Sequence, residues 1–252
     1  MTALSDLPAD VDLLVIGGGT AGLVAAKTAA GFGATALLVE AHRMGGDCLW
    51  TGCVPSKSLI AAAEAAHSAG ASHALGVSAG TPEVDFAAVL AHVHGAIHEI
   101  EPVDSVEATE AAGALVTIGR ARFTGPRSAE IDGRAISFRQ AVIATGSSPE
   151  VPDLPGIDGV DVLTSDSVWE LTARPERLVV LGGGAIGCEL GQAFARLGSH
   201  VTLVQRNARL RRTTPSRTRA CRRRRARHPA GSRNRSRRAS STWARGRRRA
   251  SP

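Results

Sequence analysis

One strand, glycine turn, helix and strand unit occurs twice in this chain, and that repetition limits the fold more than any other feature. Placing Leu178 to Gln205 on Leu13 to Glu40 at a constant offset of 165 aligns Gly182, Gly184 and Gly187 with Gly17, Gly19 and Gly22, without a gap. In each copy an apolar run of strand-formers leads into GxGxxG, and an Ala-rich or amphipathic stretch of helical length follows. The first glycine permits the tight strand-to-helix turn, the second lets the backbone approach a pyrophosphate, and the third lets the helix pack closely on the strand. The helix N-terminus then offers its orphan N–H groups to the phosphates. In the first copy a second apolar strand, Thr35 to Val39, ends in Glu40, at the spacing where an acid accepts hydrogen bonds from an adenosine ribose. In the second copy Gln205 and Arg206 stand there instead. A neutral residue beside an arginine accommodates a 2′-phosphate, which favours NADPH over NADH for that site. The pattern predicts an α/β fold with two Rossmann-type domains, a first nucleotide domain over residues 1–150 and a partial second one over 151–210.

The string GGDCLWTGCVPSK, residues 45–57, carries the chemistry. Cys48 and Cys53, five positions apart at the start of a helix, can close a short disulfide ring and reopen it, storing and releasing two electrons. Spacing alone equally allows two unrelated thiols, a structural bridge or half a zinc site. Of the other cysteines, Cys188 falls on the apolar face of the second glycine-led helix and reads as a small buried hydrophobe, and Cys221 has no evident partner. His92, His94 and His98 read as a solvated helix face; no further ligand set stands near them, so no metal site is expected.

Taken in order, GxGxxG, acid, GGxCxxxxCVPSK, ATG and a second GxGxxG closely resemble the flavin-dependent pyridine nucleotide-disulfide oxidoreductases, the group containing dihydrolipoamide dehydrogenase, glutathione reductase and mercuric reductase. The resemblance runs from about residue 10 to residue 210, and the strings VTLVQRN and VPSK look nearest the mercuric reductase branch. It implies an oxidoreductase in which Gly17, Gly19, Gly22, Glu40, Gly46, Thr145 and Gly146 hold FAD, while Gly182, Gly184, Gly187 and Arg206 serve NADPH. Cys53 is implied as the thiolate facing the flavin, and Cys48 as the outer thiol that exchanges with substrate. Lys57 is implied to lie near the flavin and to pair with Glu189. Electrons would pass from NADPH through FAD to the Cys48 and Cys53 disulfide, and on to a disulfide or metal-ion acceptor. Two physical expectations accompany these roles: the Lys57 ammonium and the oxidised flavin should lower the thiol pKa of Cys53, and Cys48 should be the accessible sulfur.

Between the two glycine units the chain is less specific. Residues 58–74 and 85–112 read as helices, separated by GVSAGTPEVD. From Ala114 to Ala144 the pattern becomes strand-like, with a turn at Asp132 and Gly133, and predicts a small antiparallel excursion before the strand that ends at ATG. VPDLPGIDGVD reads as the connection into the second nucleotide domain.

The net charge of +7 hides a split: before Arg206 there are 11 Lys and Arg against 23 acids, a balance of −12, and from Arg206 onward there are 19 Arg with no acid, a balance of +19. Residues 211–252 lack hydrophobic periodicity and are expected to be disordered, since they cannot bury enough apolar surface to offset the entropy of ordering. One reading of this tail is a non-catalytic nucleic-acid-binding protein that uses the arginines on phosphates. Its lack of Lys, of aromatics other than Trp243 and of any recognisable fold argues against that. A GC-rich gene read out of frame yields such a sequence, and a frameshift near residues 209–213 is the expected origin, which resequencing the locus would decide. On that expectation the rest of the nicotinamide domain, a later flavin-domain segment and the dimer-forming domain with its acid/base pair are missing. FAD binding and turnover would then be weak, and the family's homodimer would lack its main contact. No apolar run reaches membrane-spanning length and the first residues lack a basic leader, so a cytoplasmic location is expected.

Overall fold

A computed structural model describes residues 1–80 and 82–206 of the chain. The Arg-rich segment 211–252, with Cys221, Trp243 and the expected frameshift position, lies outside the described residues. So does the end of the second nucleotide segment, residues 207–210.

The first strand, β1 (Asp10–Ile16), enters the glycine turn and is followed by α1 (Thr20–Gly31) and β2 (Ala36–Glu40). Two helices then carry the cysteine string, α2 (Gly46–Trp50) and α3 (Cys53–Ala71). After them come α4 (Phe86–Ile100), α5 (Val106–Ala111) and β3 (Leu115–Ile118). Then come β4 (Ala121–Gly125), β5 (Ser128–Ile131) and β6 (Arg134–Ile143). The second glycine unit is β7 (Arg177–Leu181), α6 (Ala185–Arg196) and β8 (His200–Val204). No helix among the described residues is long and apolar enough to cross a membrane.

Six strands form one sheet in the order β3, β2, β1, β6, β5, β4, and β7 pairs with β8 in a second sheet. This corrects the expectation of an antiparallel excursion from Ala114 onward. β3 belongs to the parallel sheet, with Leu37 opposite Leu115 and Glu40 opposite Ile118. Only β4, β5 and the first residues of β6 are antiparallel. β6 is one continuous strand with two roles: Arg134 to Ser137 pair antiparallel with β5, and Ser137 to Ile143 pair parallel with β1. Local alternation cannot distinguish these roles, because either partner accepts the same period-2 pattern. The turn into β6 does fall at Asp132 (φ 45°) and Gly133 (φ 91°), the left-handed pair that a tight hairpin requires.

The helical stretches also divide more finely than their composition suggests. α3 begins at Cys53 and ends at Ala71, with a 3-10 turn over Ser72–Leu75. The run 85–112 is broken at Pro102 and restarts where Ser105 caps α5 by accepting from the Ala108 N–H at 3.1 Å. Asp85 caps α4 in the same way through the Ala88 N–H, also at 3.1 Å.

Buried residues gather in three clusters. Two lie about the main sheet, with Leu14, Leu37 and Ile136 in one and Val15, Leu38 and Val116 in the other. The third joins the second glycine unit to α3 and α4: Leu59 and Ala63 of α3 and Phe86, Leu90 and Val93 of α4 meet Trp169, Ala193, Phe194 and Leu197. Each large side chain fully buried there contributes about 1.5–3 kcal/mol. α6 is therefore packed against the helix that begins at Cys53.

Candidate functional site

The first glycine turn is tightly built. The Gly17 N–H donates to the Val39 carbonyl at 2.8 Å, and the Ala144 N–H at the end of β6 donates to the Ile16 carbonyl at 2.7 Å. Gly17 has φ 108°, and a Cβ there would lie 2.2 Å from the Ala144 oxygen. Gly22 comes so close beneath the turn that a Cβ would sit 1.8 Å from the Gly17 oxygen. Gly19 is the N-cap of α1 and supplies no side chain. Glu40 at the end of β2 turns its carboxylate back on the loop, where Oε2 accepts from the Gly18 N–H at 2.5 Å and Oε1 from the His42 N–H at 2.8 Å. A carboxylate has about four acceptor positions, so capacity remains for a ribose hydroxyl.

The chain then folds over this turn. The Gly45 N–H donates to the Gly18 carbonyl at 2.9 Å, and Gly46 approaches Gly19 so closely that a Cβ on Gly46 would meet the Gly19 Cα at 2.6 Å. Trp50 fixes the same segment: its Nε1–H donates to the Met44 carbonyl at 2.7 Å and its ring lies under the Arg43 guanidinium at 3.9 Å. Cys48 is thereby placed inside α2 and Cys53 at the first position of α3. Pro55 occupies the first turn of α3, where an N–H has no intrahelical partner to lose. The turn that follows β6 approaches from the other side, with Gly146 (φ 68°) beside the Asp47 carboxylate, next to Thr145.

Cys48 and Cys53 are both free thiols, and Cys48 lies near enough to bear on the ionisation of Cys53. Two expectations are corrected here. The Cys53 thiol is pushed up from its ordinary value, not down; the hydrogen bond with Cys48 is the main cause, burial and the Cys48 charge add to it, and Lys57 pulls the other way with less effect. The Lys57 ammonium is engaged elsewhere, 2.8 Å from Glu189 Oε2. The order of exposure is also reversed, with Cys53 exposed and Cys48 half-buried. The physical reason is position: Cys48 is an interior residue of α2, whereas Cys53 opens α3 at an uncapped end. A thiol held up stays protonated as pH rises. Alkylation of Cys53 in the reduced chain, followed by iodoacetamide labelling and peptide mass spectrometry, should therefore show its inflection above the ordinary range of about 8.5. Cys48→Ala removes the main cause, and its inflection should fall below that of the unaltered chain. An unchanged or higher value would contradict the assignment.

The second glycine turn repeats the first. The Gly182 N–H donates to the Val204 carbonyl at 2.8 Å, as Gly17 does to Val39. Gly187 again passes under the turn, with a Cβ 2.2 Å from the Gly182 oxygen, and Gly184 caps α6. The exposed Arg206 lies two residues beyond Val204, at the end of β8. One difference separates the copies: nothing described lies within 4 Å of a Cβ on Gly182, where β6 closes on Gly17. Lys57 and Glu189 join α3 to α6, and they line a cavity of about 230 Å³ between those helices with Ile60, Gln192 and Arg196.

Cys188 is half-buried and not fully enclosed, and its thiol donates to the Gly183 carbonyl at 3.5 Å near the helix start. His94 departs from a purely solvated face: its Nε2–H donates to the Trp169 carbonyl at 3.1 Å. Among the described residues no group of three or more His, Cys, Asp or Glu is placed to hold a metal ion. Sequence reasoning overlooked Asp47, Trp50 and Trp169. Trp50 could have been noticed inside the cysteine string, but nothing local marks Trp169.

A parallel-dominated α/β sheet whose first glycine turn is overlaid by a two-thiol loop is a Rossmann-like fold of the kind seen in flavoprotein disulfide reductases. The model of the pyridine nucleotide-disulphide oxidoreductase family matches residues 11–229, and the chain belongs to that family. It is 38% identical over 201 residues to mercuric reductase of Bacillus cereus, covering 80% of this chain and 32% of that protein. To dihydrolipoyl dehydrogenase of Haloferax volcanii it is 39% identical over 212 residues, covering 80% and 44%. Its fold is similar to the HOCl-induced flavoprotein disulfide reductase RclA from Escherichia coli, with a TM-score of 0.67 and 27% identity, covering 79% of this chain and 43% of that one. The chain thus spans less than half the length of these relatives.

Proposed function

We propose that the chain is the electron-relaying part of an FAD-dependent oxidoreductase that takes reducing equivalents from NADPH and delivers them through Cys48 and Cys53 to a disulfide or metal-ion substrate. The observation that carries this reading is the placement of the two-thiol loop directly on the first glycine turn, with Gly46 against Gly19 and the Thr145 and Gly146 turn beside Asp47. Gly17 and Gly22 make the tight turn, Gly19 at the start of α1 leaves its backbone open to a pyrophosphate, and Glu40 is at hand for the ribose. Bound FAD would supply hydride acceptance and two-electron transfer. Cys53, exposed at the start of α3, is the sulfur available for a flavin to cover, which would leave Cys48 for exchange with substrate.

Gly182, Gly184 and Gly187 with Arg206 are the residues for NADPH, and the Lys57 and Glu189 pair connects that turn with the helix that begins at Cys53. The named relatives include a mercuric reductase and a flavoprotein disulfide reductase, which supports both acceptor classes. On the same reading the whole protein is a cytoplasmic homodimer.

The decisive test is the visible spectrum of the purified chain after incubation with FAD, recorded before and after NADPH. Retained flavin absorbance that bleaches on NADPH addition is expected. A chain that retains no flavin, or whose flavin does not respond to either NADPH or NADH, would overturn the proposal.

A further inference from the structure

Trp169 lies 118 residues from the cysteine string in sequence, yet its indole N–H donates to the Thr51 carbonyl at 3.0 Å. Thr51 stands between Cys48 and Cys53. The same N–H is shared with the Ser165 carbonyl at 2.8 Å. The ring itself is only 5% exposed and belongs to the cluster formed by α3, α4 and α6.

The segment that presents Trp169 is fixed at several points. The Val168 N–H donates to the Thr164 carbonyl at 3.1 Å, the Thr164 N–H to Ser167 Oγ at 3.0 Å, and the Ser167 N–H to Thr164 Oγ1 at 3.3 Å. From α4, His94 Nε2–H holds the Trp169 carbonyl at 3.1 Å. On the opposite side of the cysteine loop the Thr51 N–H donates to the Asp47 carbonyl at 2.9 Å. The following Gly52 leaves no room for a side chain, since a Cβ would be 2.7 Å from that same Asp47 oxygen. Both backbone groups of Thr51 are thus held, the N–H by its own helix and the carbonyl by Trp169.

Closing a disulfide ring requires the loop to be confined so that the sulfurs meet, and confinement arranged beforehand lowers the entropy lost at closure. We propose that Trp169 is a positioning residue for the Cys48 and Cys53 couple, holding the Thr51 carbonyl so that the disulfide form is favoured over the dithiol. The inference rests on the redox role proposed above for that pair.

The equilibrium is measured in glutathione buffers. The two thiols give up two electrons and two protons to glutathione disulfide, forming the Cys48–Cys53 bond and two molecules of glutathione. Acid quenching, alkylation and peptide mapping then give the oxidised fraction at that pair alone. Trp169→Phe keeps an aromatic ring and removes the N–H. One neutral hydrogen bond is worth about a fivefold change in the equilibrium, so the variant should shift about fivefold toward the dithiol, roughly 20 mV for this two-electron couple. An equilibrium within twofold of the unaltered chain would overturn the inference. Failure of the unaltered chain to form the disulfide at all would instead overturn the redox role.

Should Trp169→Phe not fold, the Trp50→Phe/Trp243→Phe chain leaves Trp169 as the single indole. Its emission should change between the oxidised and reduced chain, because the acceptor of its N–H lies within the ring that opens. Identical spectra in the two states would overturn the inference.

Discussion

Gly17→Ala is expected to destabilise the chain by about 3–5 kcal/mol, whereas Gly182→Ala, the same change at the matching position, should cost about 1–3 kcal/mol. Both glycines have φ near 110°, at 108° and 110°, a region that only glycine occupies without strain. That backbone cost is common to the two sites. At Gly17 a second cost is added, because the new Cβ would lie 2.2 Å from the Ala144 carbonyl and 3.1 Å from the Thr145 nitrogen. Those atoms are backbone at the end of β6, held by the parallel pairing of Ser137 to Ile143 with β1. The clash can be relieved only by moving the sheet. At Gly182 no described atom lies within 4 Å of the added carbon. Urea unfolding of the two variants, with midpoints compared at equal slope, measures the difference. Equal losses would mean that closure by β6 adds nothing to the first turn.

On the proposed function, Cys53→Ser should halve the reducing equivalents that the FAD-loaded chain accepts and lower turnover with a disulfide acceptor by on the order of a thousandfold or more. A disulfide stores two electrons and FAD stores two, so loss of either sulfur removes one of two equal stores. Serine matches cysteine in shape but forms no bond to Cys48, and its hydroxyl is not ionised at neutral pH. The first turn of α3 is kept, since Gly52 and Pro55 define it and no Cys53 side-chain contact is needed for the cap. FAD retention should therefore be unaffected. Anaerobic dithionite titration followed by visible absorbance gives the stoichiometry, and an unchanged uptake in the variant would show that the electron store lies elsewhere. The same variant should leave the Trp169 contact with Thr51 in place, because that bond is made to backbone.

Much of the first nucleotide unit could be read from local pattern. A strand run ending in Gly17, Gly19 and Gly22 can turn in few ways, and Glu40 falls at the end of β2 as the spacing requires. The two units share the bond that closes the turn, Gly17 to Val39 and Gly182 to Val204, at the same offset of 165 seen in the sequence. The region after Ala114 was less legible. Leu115–Ile118 and Arg134–Ile143 carry no mark of which neighbour they will pair with, and that decision depends on β1 and β2, about a hundred residues upstream. Breaks in the helical stretch 85–112 were written at Pro102 and Ser105, but Ala-rich flanks obscured them.

At the site itself, residue types were legible and environments were not. The sequence places two thiols and a lysine close together, from which a depressed Cys53 pKa follows by simple electrostatics. The fold instead sets Lys57 against Glu189 and Cys48 against Cys53, and the second contact dominates.

The sequence by itself determined two glycine turns, a paired-thiol string between them and the order in which they meet along the chain, because each is a short-range arrangement fixed by backbone sterics and residue chemistry. Only the tertiary structure decided that β6 closes one turn and no described strand closes the other, that Lys57, paired with Glu189 as the resemblance implied, weighs less on Cys53 than Cys48 does, and that Trp169 reaches the peptide between the two cysteines. Those contacts join residues 118 to 132 positions apart or depend on which strands pair, and they exist only once the clusters between α3, α4 and α6 have packed.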